Sequence, residues 1–153
     1  MSENQLVEQI PREEIDVLFD SLLDLSKLVF GKTRREYLRW RIDNQPDLTL
    51  FVARRDGELI GFKAGYAVTE NRYYSWLGGV STAFRRQGIA SELMAAQHHW
   101  VRHSDYSVLE THVTQNNAAM VALNLRFGFS ITGMFMKGAD ANYIMQLHQL
   151  VIA

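Results

Sequence analysis

Apolar residues recur at three- and four-residue spacing through Ile15, Leu18, Leu22, Leu25 and Val29, the stripe of an amphipathic helix. Pro11 sits just ahead of that stripe, where a missing N–H costs nothing, and Gly31 closes it. An extended opening over residues 5–10 precedes the helix. Thr33 and Glu36 have the spacing of a capping box and predict a second, shorter helix bounded by Pro46. The pattern then turns to strands. Residues 48–55 and 58–68 flank Asp56-Gly57, which predicts a hairpin with a type I′ turn because both central residues must take positive φ. A third run over 73–81 follows the turn at Glu70-Asn71-Arg72. Ile89, Leu93, Ala96 and Trp100 mark a third helix ending near His103. A strand over 107–114, a helix over 117–127 and two strands over 130–137 and 142–150 complete the chain.

The order β-α-α-β-β-β-α-β-α-β-β predicts a mixed α/β domain, distinct from a regular doubly wound sheet. With 153 residues and no repeat or Pro/Gly/Ser-rich linker, the chain reads as a single domain over 1–153. Sixteen basic residues against seventeen acidic ones argue against a dedicated nucleic-acid or membrane-surface protein. Zero cysteines exclude a disulfide scaffold, a thiolate zinc site and a cysteine nucleophile. No apolar run reaches membrane-spanning length and the N-terminus has no secretion signal, so a cytoplasmic location is expected.

Chemistry concentrates in Gly78-Gly79-Val80-Ser81-Thr82-Ala83-Phe84-Arg85-Arg86-Gln87-Gly88-Ile89-Ala90. A strand ends there, a basic glycine-containing loop follows, and a helix begins at once. Helix starts present unpaired N–H groups and the positive dipole end, a ready phosphate site. Gly88 permits close backbone approach, and Arg85 and Arg86 add charge. The paired glycines suggest a bulge or the close approach of another chain. The competing reading is a solvated basic turn.

Arg85-x-x-Gly88-x-Ala90 after a strand ending in Val80 resembles the coenzyme A pyrophosphate loop of the GNAT acyltransferase superfamily. Asn117-x-x-Met120-x-x-Leu123-Asn124-x-x-x-Gly128-Phe129 is similar to that family's fourth-helix motif. The resemblance implies an α/β (α+β type) fold: a mixed, mostly antiparallel sheet of about seven strands with four helices, strands four and five splayed. It implies acetyl-CoA as cosubstrate, with no metal. The backbone of Arg85, Arg86, Gln87, Gly88, Ile89 and Ala90 would cradle the pyrophosphate. Gly79 and Val80 would pair with the pantetheine arm, and Asn117, Met120, Asn124 and Phe127 would border it. The Gly78-Gly79 pair would form the bulge that starts the splay, and the Val80 N–H would polarise the thioester carbonyl.

The chain departs from the family pattern at three places. Thr82 stands where many relatives have proline, Met120 replaces an alanine, and Asn124 stands where relatives often carry a tyrosine that protonates the leaving thiolate. An amide donates a hydrogen bond but supplies no proton. A thiol with pKa about 8.5 can leave as thiolate, and Tyr73, Tyr74, Tyr106 and Tyr143 are substitute donors. The acceptor amine needs a base, since a lysine-like amine is neutral in only about one part in 2,500 at pH 7, equivalent to about 4.6 kcal/mol. The fourth strand holds no carboxylate. The fifth offers Glu110 and His112 on one face. His112 stands where the ribosomal-protein N-terminal acetylases of this superfamily carry a glutamate, and it is the preferred base. Glu110 is the second candidate. Structural histidine and salt-bridged carboxylate are the plainer readings of the two.

His99 and His103 have a chelating spacing but lack further ligands, so helix-end charge accounts for them. Lys32, Arg34, Arg35, Arg39 and Arg41, interleaved with Tyr37 and Trp40, form the most basic cluster. It reads as a solvated helix face, with an acidic acceptor or a nucleic-acid patch as the sharper alternatives. Trp76 and Trp100 read as core. The expected activity is transfer of an acetyl group from acetyl-CoA directly to a primary amine, on a small molecule or a peptide, in a ternary complex. An acyl-CoA-binding module of the same fold is the alternative, and a nucleic-acid adaptor a third. Relatives are often dimers, which allows a homodimer here.

Overall fold

The computed structural model describes residues 5–136 and 143–151. Within them, seven strands form one sheet in the order β1-β2-β3-β4-β5-β7-β6. The strands are β1 (Gln5–Ile10), β2 (Thr49–Arg55), β3 (Glu58–Ala67), β4 (Arg72–Val80), β5 (Val108–Thr114), β6 (Ser130–Met136) and β7 (Tyr143–Leu150). The helices are α1 (Ile15–Phe30), α2 (Arg35–Asn44), α3 (Ile89–Arg102) and α4 (Ala118–Arg126). Every ladder is antiparallel except β4–β5, which is parallel. The expected strand ends at Lys137 and Asn142 lie outside the described residues.

Strand alternation divides the core between the two faces. Leu50, Val52, Phe62 and Ala64 meet Ile15, Phe19, Leu22 and Leu25 of α1 and Leu38 and Ile42 of α2. On the other face, Phe51, Ala53, Ile60 and Val80 meet Ile89 and Leu93 of α3. Tyr73, Leu109, Val113, Phe129 and Leu147 close the same layer around Val101. Each leucine, isoleucine, valine and phenylalanine among them contributes about 1.5–3 kcal/mol on burial, and together these groups hold the sheet between its helices.

The hairpin turn is as its sequence predicts, with φ of 50° at Asp56 and 84° at Gly57. Gly31 ends α1 at φ 79°, its N–H given to the Lys27 carbonyl. Two expectations need correction. Thr33 makes no cap bond: Arg34 is the extended N-cap residue of α2, which leaves the threonine one position too early for its hydroxyl to reach the first turn. The bulge also lies elsewhere. Ala64 pairs with Leu77 and Gly65 with Ser75, so the extra residue on β4 is Trp76 rather than the glycine pair. Trp76 and Leu77 consequently both pack on the α1/α2 core.

Candidate active cleft

β4 and β5 are paired only where Arg72, Tyr73, Tyr74 and Ser75 face Val108, Leu109, Glu110 and Thr111. Beyond that point the strands part, and the Thr111 hydroxyl donates to the Ser75 carbonyl at 3.1 Å where they do so. The gap is a cavity of about 580 Å³. Gly78, Gly79 and Val80 form one wall, His112, Val113 and Thr114 the other, with Met94 of α3 and Met120 of α4 among the lining residues on the helical side. Gly79 is required by packing: a Cβ there would come within 2.5 Å of Val29 on α1. The Ser81 N–H goes to the Ile60 carbonyl of β3. By alternation, the Val80 N–H and carbonyl therefore face away from β3, toward the gap. Arg85 Nε donates to that carbonyl at 3.3 Å.

The loop at the mouth joins β4 to α3. Gly88 is the left-handed N-cap residue of α3 at φ 78°, and Arg86 is also left-handed at φ 63°. A Cβ at Gly88 would meet nothing within 4 Å, so it is the backbone angle and not local packing that calls for glycine. Left-handed residues beside a helix start turn successive N–H groups to one side, the geometry that binds diphosphates. The loop is anchored by Gln87, whose side-chain carbonyl accepts from Arg55 Nη1 at 2.6 Å. Arg55 in turn lies over the Phe84 ring. The donors of this loop suit a diphosphate. At the far side of the cleft, Asn117 caps α4 by accepting from the Met120 N–H at 3.3 Å.

The opposite face of the sheet carries the ionisable groups. Glu110 is 7% exposed. Its Oε2 lies 3.2 Å from His112 Nε2, and its Oε1 accepts from His148 Nε2 at 2.6 Å and from Gln146 Nε2 at 3.3 Å. Arg72 Nε stands 3.9 Å from the same carboxylate. The Tyr74 hydroxyl meets His112 Nδ1 at 3.3 Å, and the His112 ring packs edge-on against Phe135. The ring thus presents Nε2 to Glu110 and Nδ1 to Tyr74. The Thr132 hydroxyl engages His148 Nδ1. Burial pushes Tyr74 up to about 12, so it remains a hydrogen-bond donor at neutral pH.

Of the residues singled out from sequence, Gly79, Val80, Arg85, Ala90, His112, Asn117 and Met120 line the cleft. Glu110 adjoins it through His112. Ile89 is buried in the core under α3. Asn124 is 2% exposed and its amide donates to the Met120 carbonyl of its own helix. Phe127 packs on His98 instead of the cleft. Arg86 and Gln87 belong to the loop. Tyr73 is enclosed and bound to Thr49, Tyr106 is bound to Asp47, and Tyr143 lies at the exposed end of β7. Trp100 is core beside Tyr73. The His103 ring is hydrogen-bonded to the His99 carbonyl at 2.8 Å, which satisfies a helix-end acceptor. No cluster of three metal-ligating side chains occurs among the described residues. No helix among them is long and apolar enough to cross a membrane.

Sequence reasoning missed His148, whose contact with Glu110 depends on the β5–β7 register. It also missed Lys63, a half-buried β3 residue that lines the cleft. Lys63 pairs with Gly78, and its stem lies over the space a side chain there would occupy. Burial pushes its amine down to about 8. An alternating strand pattern that places a lysine on an apolar face is the only sequence signal for it.

The acetyltransferase (GNAT) family model matches residues 19–129. No curated protein sequence matches the chain. Among solved structures, the ribosomal-protein-S18-alanine N-acetyltransferase from Escherichia coli superposes with a TM-score of 0.82 at 13% identity, covering 98% of this chain and 96% of that one. An aminoglycoside 6'-acetyltransferase type Ii gives 0.80 at 16% identity, covering 97% and 98%. Arabidopsis thaliana NAA60, in complex with a bisubstrate analogue, gives 0.75 at 16% identity, covering 97% and 99%. At these identities the likeness concerns the fold, while the family match spans most of the chain and its two motifs. The chain belongs to the GNAT acetyltransferase family.

Proposed function

We propose that this protein transfers an acetyl group from acetyl-CoA directly to a primary amine, both substrates being bound together. The observation that carries the reading is the parting of β4 and β5 beyond Ser75 and Thr111, which frees the inner backbone edge of β4 beside a diphosphate-suited loop. Amides of residues 85–90 hold the diphosphate, and Gly78 to Val80 receive the pantetheine arm along the strand edge. The Val80 N–H faces the gap and stabilises charge on the thioester oxygen. The proton of the attacking amine passes to His112 Nδ1 through the Tyr74 hydroxyl that meets that nitrogen. Glu110 holds the opposite ring nitrogen and stabilises the cation that forms, as the carboxylate of a catalytic triad does. The C–S bond breaks as the N–C bond forms, and the sulfur departs as a thiolate, for which no tyrosine at position 124 is required. With no cysteine in the chain, a thioester-linked enzyme intermediate is excluded, which supports direct transfer.

Calorimetric titration with CoA, paired with thiol release from acetyl-CoA over a panel of amines, tests the reading. Wild type should bind CoA and release thiol only when an amine is present. Gly88→Val, which forces a β-branched residue into a left-handed angle, should weaken CoA binding at least tenfold. Tight CoA binding without turnover on any amine would return the chain to the role of an acyl-CoA-binding module.

A further inference from the structure

The basic cluster on α2 is not uniform. Arg39 Nη2 lies 2.9 Å from Asp16 and 2.5 Å from Asp43. Arg35 Nη1 lies 2.7 Å from Asp20. These two are neutralised on the solvent side, over the Phe19 ring. Arg41 points the other way, onto the sheet. Its guanidinium carbon is 4.4 Å from the centre of the Trp76 ring, 5.5 Å from Tyr66 and 5.6 Å from Tyr37. Nη1 donates to the Tyr37 hydroxyl at 2.6 Å and Nη2 to the Tyr66 hydroxyl at 2.9 Å. Nε is buried and meets no acceptor among the described residues. No described carboxylate lies within ion-pair distance of the group.

Phenol hydroxyls fix a guanidinium without cancelling its charge, and three of its five N–H donors remain uncommitted. An uncompensated cation drawn out of water is costly unless an anion completes it. Held over an aromatic face by two phenol hydroxyls, arginine is organised in advance to take a carboxylate or phosphate. Its location gives that anion a meaning. Trp76 lines the cleft, Tyr66 packs edge-on against both Trp76 and Tyr74, and the Tyr74 ring lies 4.9 Å from His112. Tyr66 and Tyr74 are register partners on β3 and β4, and Tyr74 faces Glu110 on β5. From Tyr66, which Arg41 holds, to Glu110 is therefore two strand spacings, roughly 10 Å across the sheet, and His112 lies two residues further along β5.

We infer that Arg41 is the docking point for an anionic group, a carboxylate or phosphate, on the amine acceptor. The inference rests on the acetyltransferase reading and narrows its substrate class. Amine and anion sit at the two ends of an extended molecule, which excludes a free α-amino acid, whose charges are adjacent. An acidic side chain a residue or two inside a peptide N-terminus has this geometry, and so does a long ω-amino acid.

Both sources are separated by paired acceptors assayed by thiol release: 6-aminohexanoate against 6-aminohexanamide, and alanyl-glutamyl-alaninamide against alanyl-glutaminyl-alaninamide. Wild type should favour the acidic member of at least one pair tenfold or more in kcat/KM, mainly through KM, and the favoured pair identifies the source. Arg41→Gln should bring that ratio to within twofold, Arg41→Lys should keep part of it, and Tyr37→Phe should lower it. Equal use of both members by wild type, or a ratio that survives in Arg41→Gln, overturns the inference. If no amine is turned over, the acetylated products of the same pairs are titrated into CoA-loaded protein. A carboxylate preference in binding that Arg41→Gln abolishes upholds the anion site even where the enzymatic reading has failed, and its absence overturns the site. Melting temperatures of all three variants verify that they are folded.

Discussion

The two faces of the sheet around the β4–β5 gap are built on opposite plans. Toward α3 and α4 the cleft is walled by backbone, glycines and apolar side chains such as Met94 and Met120, with Lys63 as its half-buried charge. Toward α1 and α2 the same strands carry Tyr66, Tyr74, Trp76, Glu110 and His112, joined by Arg41 and His148. A ligand held through main-chain hydrogen bonds asks for room and straight strand edges, and tolerates most side chains. Proton transfer and the recognition of a charged acceptor ask for particular side chains at particular distances. One face should therefore be damaged by added bulk, and the other by lost functional groups.

The sharpest way to break that contrast is His112→Ala. Turnover by thiol release should fall by about 10²–10⁴-fold at pH 7, the range typical of a positioned base. The deficit should shrink toward pH 10, where the amine loses its proton unaided, and CoA affinity should be kept. A deficit independent of pH would remove His112 from proton transfer. Next is Gly79→Val on the cleft edge of β4, where bulk is pressed toward α1. Its branched side chain collides with Val29 and should cost about 1–3 kcal/mol in urea unfolding, with weakened CoA binding. Preserved binding would show that this strand edge does not hold the ligand.

Two buried bases on the helical side sharpen the comparison through stability. His98 is 1% exposed, wedged against Phe127 and Phe129, and burial pushes it down to about 4. Its ordinary value is near 6.5, so the unfolded chain takes up a proton that the folded chain refuses between pH 6.5 and 4. Stability is therefore intact above that window and falls as the pH drops through it. Wild type should lose on the order of 1–3 kcal/mol from this source between pH 7 and pH 4, and His98→Leu should flatten that limb in urea titrations. The smallest effect is expected at Lys63, whose folded value near 8 lies below its ordinary 10.5. Here stability rises as pH climbs from 8 to 10.5. Lys63→Met should gain about 1–2 kcal/mol at pH 7, discounted because the side chain is only partly enclosed, and less at pH 10.

The same contrast explains what the sequence disclosed. The β4–α3 loop and the α4 start are each short continuous stretches, and each residue type follows from a local demand: Gly88 for its positive φ, Asn117 for its cap. The element order and the Asp56-Gly57 turn were legible for the same reason. The ionisable face draws on α2, β3, β4, β5 and β7, and no local rule links Arg41 to Trp76 or His148 to Glu110. Only register brings them together. Arg41 stood out in the sequence merely as one of five basic residues, because the aspartates that neutralise Arg35 and Arg39 lie partly on another helix. The bulge was misplaced because glycines mark where a chain bends freely, whereas Trp76 is extruded for the packing its ring gains on the α1/α2 core.

That extra residue works as a phase shift. Upstream of it the odd positions Tyr73 and Ser75 are the enclosed ones; downstream, Leu77 faces α1 and Gly78 lies under the Lys63 stem. Pairing Trp76 with Ala64 instead of extruding it would restore an unbroken period of two and turn every later side chain of β4 to the wrong side. Gly79 would no longer stand beneath Val29, and the Val80 amide would swing away from the gap. The frame of a single strand, set by one tryptophan, thus decides which side chains of its far half meet α1 and which backbone edge borders the cleft.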